Sequence, residues 1–182
     1  LLPHLDEVVD CGIDSLKIEG RMKSVHYVAS VVKAYRMALD ACLTNADYEV
    51  REEWLTELEK VSHRAYTTGF FFGKTTGADQ IYGSSSYEQS SDFIGLVRAY
   101  DPVTQLATVE QRNNMKCGQE IEIFQPTRAS FRQILDAMWD EEGTPIDAAP
   151  HPQQIVRIRL VRPAEPYSIL RRDVPMKKGD ES

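Results

Sequence analysis

No apolar run in the sequence approaches the roughly 20 residues that a membrane-spanning helix needs, so no membrane partner is expected. The three cysteines, Cys11, Cys42 and Cys117, are an odd number, widely spaced and without a CxxC pair. That argues against a disulfide framework and a self-contained zinc site, and it leaves buried free thiols as the expectation. His4, His26, His63 and His151 show no metal-ligand spacing, and there is no GxSxG elbow. No metal site is expected. The first residue is Leu, and no charged-then-apolar leader precedes the fold. We therefore read the chain as part of a longer or processed protein of the cytoplasm. Basic residues are the scarcer charge, 21 against 28 acidic, and a net charge of −7 argues against a general nucleic-acid-binding surface.

The balance is uneven along the 182 residues, at −6 over 1–92, −4 over 93–150 and +3 over 151–182. Arg157, Arg159, Arg171 and Arg172 in the last segment fit either a nucleic-acid contact or a solvated strand face. The 42% of apolar residues allow a real core.

Residues 2–11 read as the end of a helix stopped by a left-handed Gly12. A buried strand is expected over 13–19. A helix follows over about 25–43, with Val25, Val28, Val32, Tyr35, Leu39 and Cys42 on its packed face. Ser24 is the expected N-cap. A second helix is expected at about 50–62. In "SHRAYTTGFFFGK" (62–74) the three phenylalanines suit an apolar cluster against a neighbouring domain. Helix, strand, helix with tight connections is a piece of an α/β protein with parallel strands.

The polar stretch 83–92, "GSSSYEQSSD", is the candidate boundary between residues 1–82 and 93–182. Beyond it the period changes to two. Strands are expected at 93–100, 106–112, 120–124, 131–139 and 154–160, separated by turn signals. Phe131, Leu135 and Met138 would also suit a helix. The pattern implies a small antiparallel barrel, which makes the chain α+β overall.

"KIEGRMKS" (17–24) carries the most chemistry. It includes "IEGR", familiar as a cleavable cloning linker, but its place between an expected strand and helix marks it as native. Functional groups collect at strand ends in α/β folds. Lys17 and Glu19 are two apart and share one side of the strand. Arg21 and Lys23 precede the Ser24 helix, whose free amides and dipole favour an anion. Gly20 would let the backbone approach a ligand. An internal salt bridge clamping strand to helix is the other reading of the same residues.

"SLKIEGRMKSVHYVASVVKAYRMALD" (15–40) resembles the end of the barrel domain in the U32 peptidase family, the collagenase-like proteases. "SHRAYTTGFFFGK" and "HPQQIVRIRL" are also similar to that family. The resemblance implies a (β/α)-barrel catalytic domain, of which residues 1–45 would be the last portion, and a C-terminal β-barrel over about 92–172. It implies two activities for the parent: proteolysis of a peptide substrate, or hydroxylation of the tRNA wobble uridine with prephenate as a required metabolite. A non-catalytic scaffold is the third reading. Lys17, Glu19, Gly20, Arg21, Lys23 and Ser24 are the matching motif positions, and an anion such as prephenate would suit Arg21 and Lys23. The family's cysteine-rich signature, tied to an iron–sulfur or metal centre upstream, has no counterpart in this sequence. No cofactor is therefore expected on this segment, and by itself it is expected to be inactive. "NNMKCGQEIEIF" is similar to the small barrels of translation factors, with Gly118 making the turn.

Overall fold

Gly12, at φ +71°, stops helix α1 (Leu5–Asp10), and the amides of Cys11 and Gly12 donate to the Glu7 and Val9 carbonyls. The computed structural model describes residues 1–44, 48–63, 66–74 and 90–174, and these form two units, one built on Leu1–Ser90 and one on Ser91–Val174.

In the first unit, a 3-10 turn at Leu2–His4 leads into α1. Helix α2 (Val25–Thr44) begins at Ser24, whose Oγ accepts the Tyr27 amide at 3.1 Å, so the expected N-cap is present. Helix α3 (Glu52–Glu59) is shorter than the span expected for it. Leu2, Leu5 and Val8 join Val31, Ala34 and Ala38 of α2 and Trp54, Leu58 and Val61 in one core. Ser30, Ala34 and Ala38 are small, which lets neighbouring chain come close to α2.

Two expectations are corrected in this unit. The buried face of α2 carries His26, Ser30, Val31, Ala34 and Ala38; of the expected face Tyr35 and Leu39 pack against the core, whereas Val25, Val28 and Val32 are exposed. An apolar stripe at helical spacing marks a face that needs a cover, and it does not say which neighbour supplies it. The strand over 13–19 is also absent. These residues carry no ladder, and Ile13 and Leu16 are exposed. A strand exists only with a hydrogen-bonded neighbour, and none of the described residues pairs with this segment.

The second unit is a curled antiparallel sheet. Its strands are β1 (Ser91–Asp101), β2 (Leu106–Gln111), β3 (Met115–Lys116), β4 (Glu120–Phe124), β5 (Phe131–Ile134), β6 (Met138–Trp139), β7 (Pro145–Ile146), β8 (Ala148–Ala149), β9 (Ile155–Arg159) and β10 (Ile169–Asp173). Eight of them run in the order β5-β4-β10-β1-β2-β9-β6-β7, and β3 pairs with β8 separately. Two bulges, between Phe93 and Gly95 and between Val97 and Ala99, bend the long β1 as it pairs with β10 and β2.

The sheet is a half-barrel rather than a closed one. At its β5 edge the Gln133 side chain replaces a ladder. Its Nε2 donates to the Arg159 carbonyl at 2.8 Å, and its Oε1 accepts from the Val161 amide at 3.0 Å. Ile94, Val97, Val109, Ile121, Ile123, Val156, Ile158 and Leu170 fill the core. Gly118, at φ +85°, turns the chain from β3 into β4.

β1 begins at Ser91, so the last two residues of the expected connector belong to a strand, while 83–89 lie outside the described residues. The segment 131–139 forms β5 and β6 with a break between, and no helix. β10 was not among the expected strands, yet it sits centrally between β4 and β1.

Candidate functional site

The segment Lys17–Ser24 has a definite geometry. The Arg21 amide donates to Glu19 Oε1 at 2.9 Å, and the Lys23 amide donates to the Gly20 carbonyl at 2.9 Å, forming a turn ahead of α2. In place of the internal salt bridge of the alternative reading, Glu19 accepts the Arg21 backbone amide. Lys17, Glu19 and Arg21 are exposed. Lys23 is directed elsewhere, its Nζ donating to the Ser62 carbonyl at 3.2 Å and lying 5.0 Å from the centre of the Tyr27 ring. Gly20 has a packing reason of its own. A Cβ there would lie 2.6 Å from Val28 Cγ2, so any larger residue would have to displace the Val28 side chain.

Sequence reasoning missed a polar cluster between α2 and α3. Ser30, fully buried, donates its hydroxyl to Glu57 Oε1 at 2.7 Å, and Lys60 Nζ lies 3.7 Å from Glu57 Oε2. Glu57 and Lys60 read as an exposed helix face in sequence, so no spacing signal marks them. Tyr66 donates to the Leu58 carbonyl at 2.8 Å, and burial pushes its hydroxyl pKa well up. Burial likewise pushes Tyr48 up to about 12.

The cysteines are free, but Cys11 is exposed and the other two are half-buried, against the expected buried thiols. Burial raises the Cys42 thiol, helped by Asp6 and Asp10, and raises Cys117, helped by Asp147 and Asp136. A thiol held protonated is neither a good nucleophile nor a metal ligand. Among the described residues no group of three or more His, Cys, Asp or Glu side chains is placed to hold a metal ion, and none suits an iron–sulfur centre. No helix among them is long and apolar enough to cross a membrane.

The four basic candidates of the second unit divide in two. Arg157 and Arg159 are exposed on β9. Arg171 is fully buried, with Nε 3.2 Å and Nη2 2.8 Å from the two Glu122 oxygens, so it cannot reach a nucleic acid. Arg172 is held by the Asn114 carbonyl at 3.0 Å and Asp92 Oδ2 at 3.1 Å. Both lie in β10, where a central strand needs its polar side chains satisfied locally.

Comparison with known proteins places the chain. Residues 1–81 match the model for peptidase family U32, and residues 89–171 match the model for the peptidase family U32 C-terminal domain. The chain belongs to peptidase family U32. Among U32 relatives, tRNA hydroxylation protein P1 of Bacillus subtilis is 42% identical over 173 residues, covering 94% of this chain and 41% of the relative. The tRNA hydroxylation protein P of Escherichia coli is 29% identical, covering 82% of this chain and 32% of the relative. A collagenase of Porphyromonas gingivalis is 29% identical, covering 72% of this chain and 32% of the relative. The chain thus spans about two fifths or less of these relatives' lengths. The solved C-terminal domain of a Geobacillus thermoleovorans protein assigned to the U32 peptidases is 47% identical, with a TM-score of 0.44. It covers 44% of this chain and 99% of that domain.

Proposed function

We propose that this chain is the C-terminal portion of a U32 protein that hydroxylates the wobble uridine of tRNA. The observation that carries the reading is the 42% identity to a tRNA hydroxylation protein across 94% of the chain. The collagenase-named relative is more distant and matches less of the chain. Among the described residues, Ser30 is buried and donates its hydroxyl to Glu57, so it offers no exposed nucleophile for the peptidase reading.

Residues 1–82 are, in this reading, the closing part of a (β/α) barrel. Support comes from the unpaired segment 13–19 and from the exposed Val25, Val28 and Val32, which together need a sheet to cover them. The turn ahead of α2 is read as the seat of an anionic metabolite such as prephenate. Arg21 supports this, since its guanidinium is exposed and makes no ion pair among the described residues. The Lys23 ammonium, by contrast, donates to the Ser62 carbonyl.

The test is mass spectrometry of tRNA from a strain lacking the full-length parent, complemented with wild type, Arg21→Ala or Arg21→Lys. Deletion should remove wobble 5-hydroxyuridine and the wild type restore it. Arg21→Ala should fall short by about tenfold or more, the worth of a charge-assisted hydrogen bond. Arg21→Lys should restore little, because an ammonium lacks the planar fork that grips a carboxylate. Full modification by Arg21→Ala with a lowered melting temperature would make Arg21 structural. Unchanged tRNA in the deletion strain would overturn the function itself.

A further inference from the structure

Nine arginines fall within Ser91–Val174, and their partners sort them. Arg98 and Arg112 both hold Glu110, Arg128 holds Glu165, and Arg132 holds Glu120, Glu122 and Asp173. Arg171 holds Glu122, and Arg172 holds Asp92. Three remain: Arg157, Arg159 and Arg162. Among the described residues none of them has a carboxylate within ion-pair distance. In a chain of net charge −7, the unmatched arginines of this unit lie together on one strand and the turn that follows it.

Their placement follows from the strand period. Val156 and Ile158 point into the core, so Arg157 and Arg159 leave β9 on its outer face. Residues two apart on a strand are about 7 Å apart, close to the spacing of neighbouring phosphates along a nucleic-acid chain. Trp139 of β6 lies opposite Arg157 in the ladder and is only partly buried. The Arg159 guanidinium stands 6.0 Å from the Trp139 ring centre, and Arg162 stands 6.0 Å from that of Phe131. The Trp139 ring holds the Arg159 side chain over the sheet, which lowers the entropy lost on binding. The exposed Glu141 and Glu142, in the turn between β6 and β7, bound the patch along the chain on one side.

We propose that this outer face of β9, with Arg157, Arg159 and Trp139, together with Arg162 in the turn beyond it, docks RNA. The three guanidinium groups engage successive phosphates, and the Trp139 ring offers a platform on which an unpaired base stacks. The proposal rests on the tRNA reading above and adds the surface that grips the substrate. A surface of this kind binds through counterion release, so each phosphate contact adds about 0.7–0.9 to the slope of log K against log salt.

The experiment is fluorescence anisotropy of labelled tRNA with the full-length protein across a salt series. The variants are the triple Arg157→Gln/Arg159→Gln/Arg162→Gln, Trp139→Leu, and the control Arg128→Gln. The triple variant should weaken binding by about tenfold or more and flatten the slope by about 2–3. Trp139→Leu should weaken binding with little change in slope. Arg128→Gln, whose native partner is Glu165, should change the slope by less than about 1. Unchanged affinity and slope in the triple variant would overturn the surface, while wild-type binding left the tRNA reading standing. Equal losses in the control would also overturn this face. No tRNA binding by the wild type, together with unchanged hydroxylation in the deletion strain, would sink the parent reading and the surface with it.

Discussion

Arg171 is wholly buried and charged, and its surroundings explain how the fold accommodates it. Two bonds reach the Glu122 carboxylate, and the guanidinium lies 4.3 Å from the centre of the Phe124 ring. Glu122 is further approached by Arg132, at 3.4 Å, which also meets Asp173 at 2.8 Å. Asp173 is the leading reason the Arg132 guanidinium is held even more firmly protonated than usual. Removing Arg171 alone takes both of these bonds from a carboxylate that is itself buried. Arg171→Met should therefore destabilise the second unit by about 3–5 kcal/mol, and Arg171→Met/Glu122→Leu should recover much of that loss. Urea melts of the two variants check it, and equal losses in both would show that packing rather than charge is at stake. None of this was legible at the residue scale. "RRD" reads as a solvated basic end, because two adjacent arginines of a strand face opposite ways and only the ladder register tells which is buried. Gly20 was legible as a special position, and the structure adds a neighbour that the sequence does not show, Val28.

At the scale of elements, patterns that depend on near neighbours were readable and those that depend on distant partners were not. Ser24 as N-cap, Gly12 as helix stop and the period-two runs of β1, β2, β4 and β9 are local, and all are present. The packed face of α2, the pairing of 13–19 and the central place of β10 depend on chain far away in sequence. A similar distant link joins the loop after β4 to the segment before β10. The Thr127 hydroxyl donates to Glu165 Oε1 at 2.5 Å, and the amides of Thr127 and Arg128 donate to its Oε2 at 3.0 and 3.2 Å. These bonds, the Thr127 hydroxyl first, hold the Glu165 carboxyl below its ordinary value of 4.5. A depressed folded value means that the contribution is complete above about pH 4.5 and is lost as pH falls through the folded value. Stability should therefore decline below about pH 4.5 in the wild type. Thr127→Val should show a shallower decline, since the first cause of the shift is gone. Guanidinium melts between pH 6 and 3 measure this, and parallel pH curves for the two proteins would refute it.

For the whole molecule, the two units differ in how completely each buries its own apolar groups. The second unit draws its core cluster, from Ile94 to Leu170, entirely from its own strands and loops, and Gln133 secures its open edge. The first leaves Val25, Val28, Val32, Phe70 and Phe72 exposed. Exposed large apolar side chains of that kind suit a face awaiting a partner, or a liability when no partner comes. Residues 90–174 expressed alone should therefore fold cooperatively. Their urea unfolding should show a single transition with a slope of about 1 kcal/mol/M, typical of a small domain. Residues 1–82 expressed alone should bind a hydrophobic dye and self-associate, because their best helix presents its second apolar stripe to water. Circular dichroism melts and size-exclusion chromatography on the two fragments make the comparison. A broad, non-cooperative transition in 90–174 would mean that its sheet depends on chain outside it, and the division at Ser91 would then be wrong.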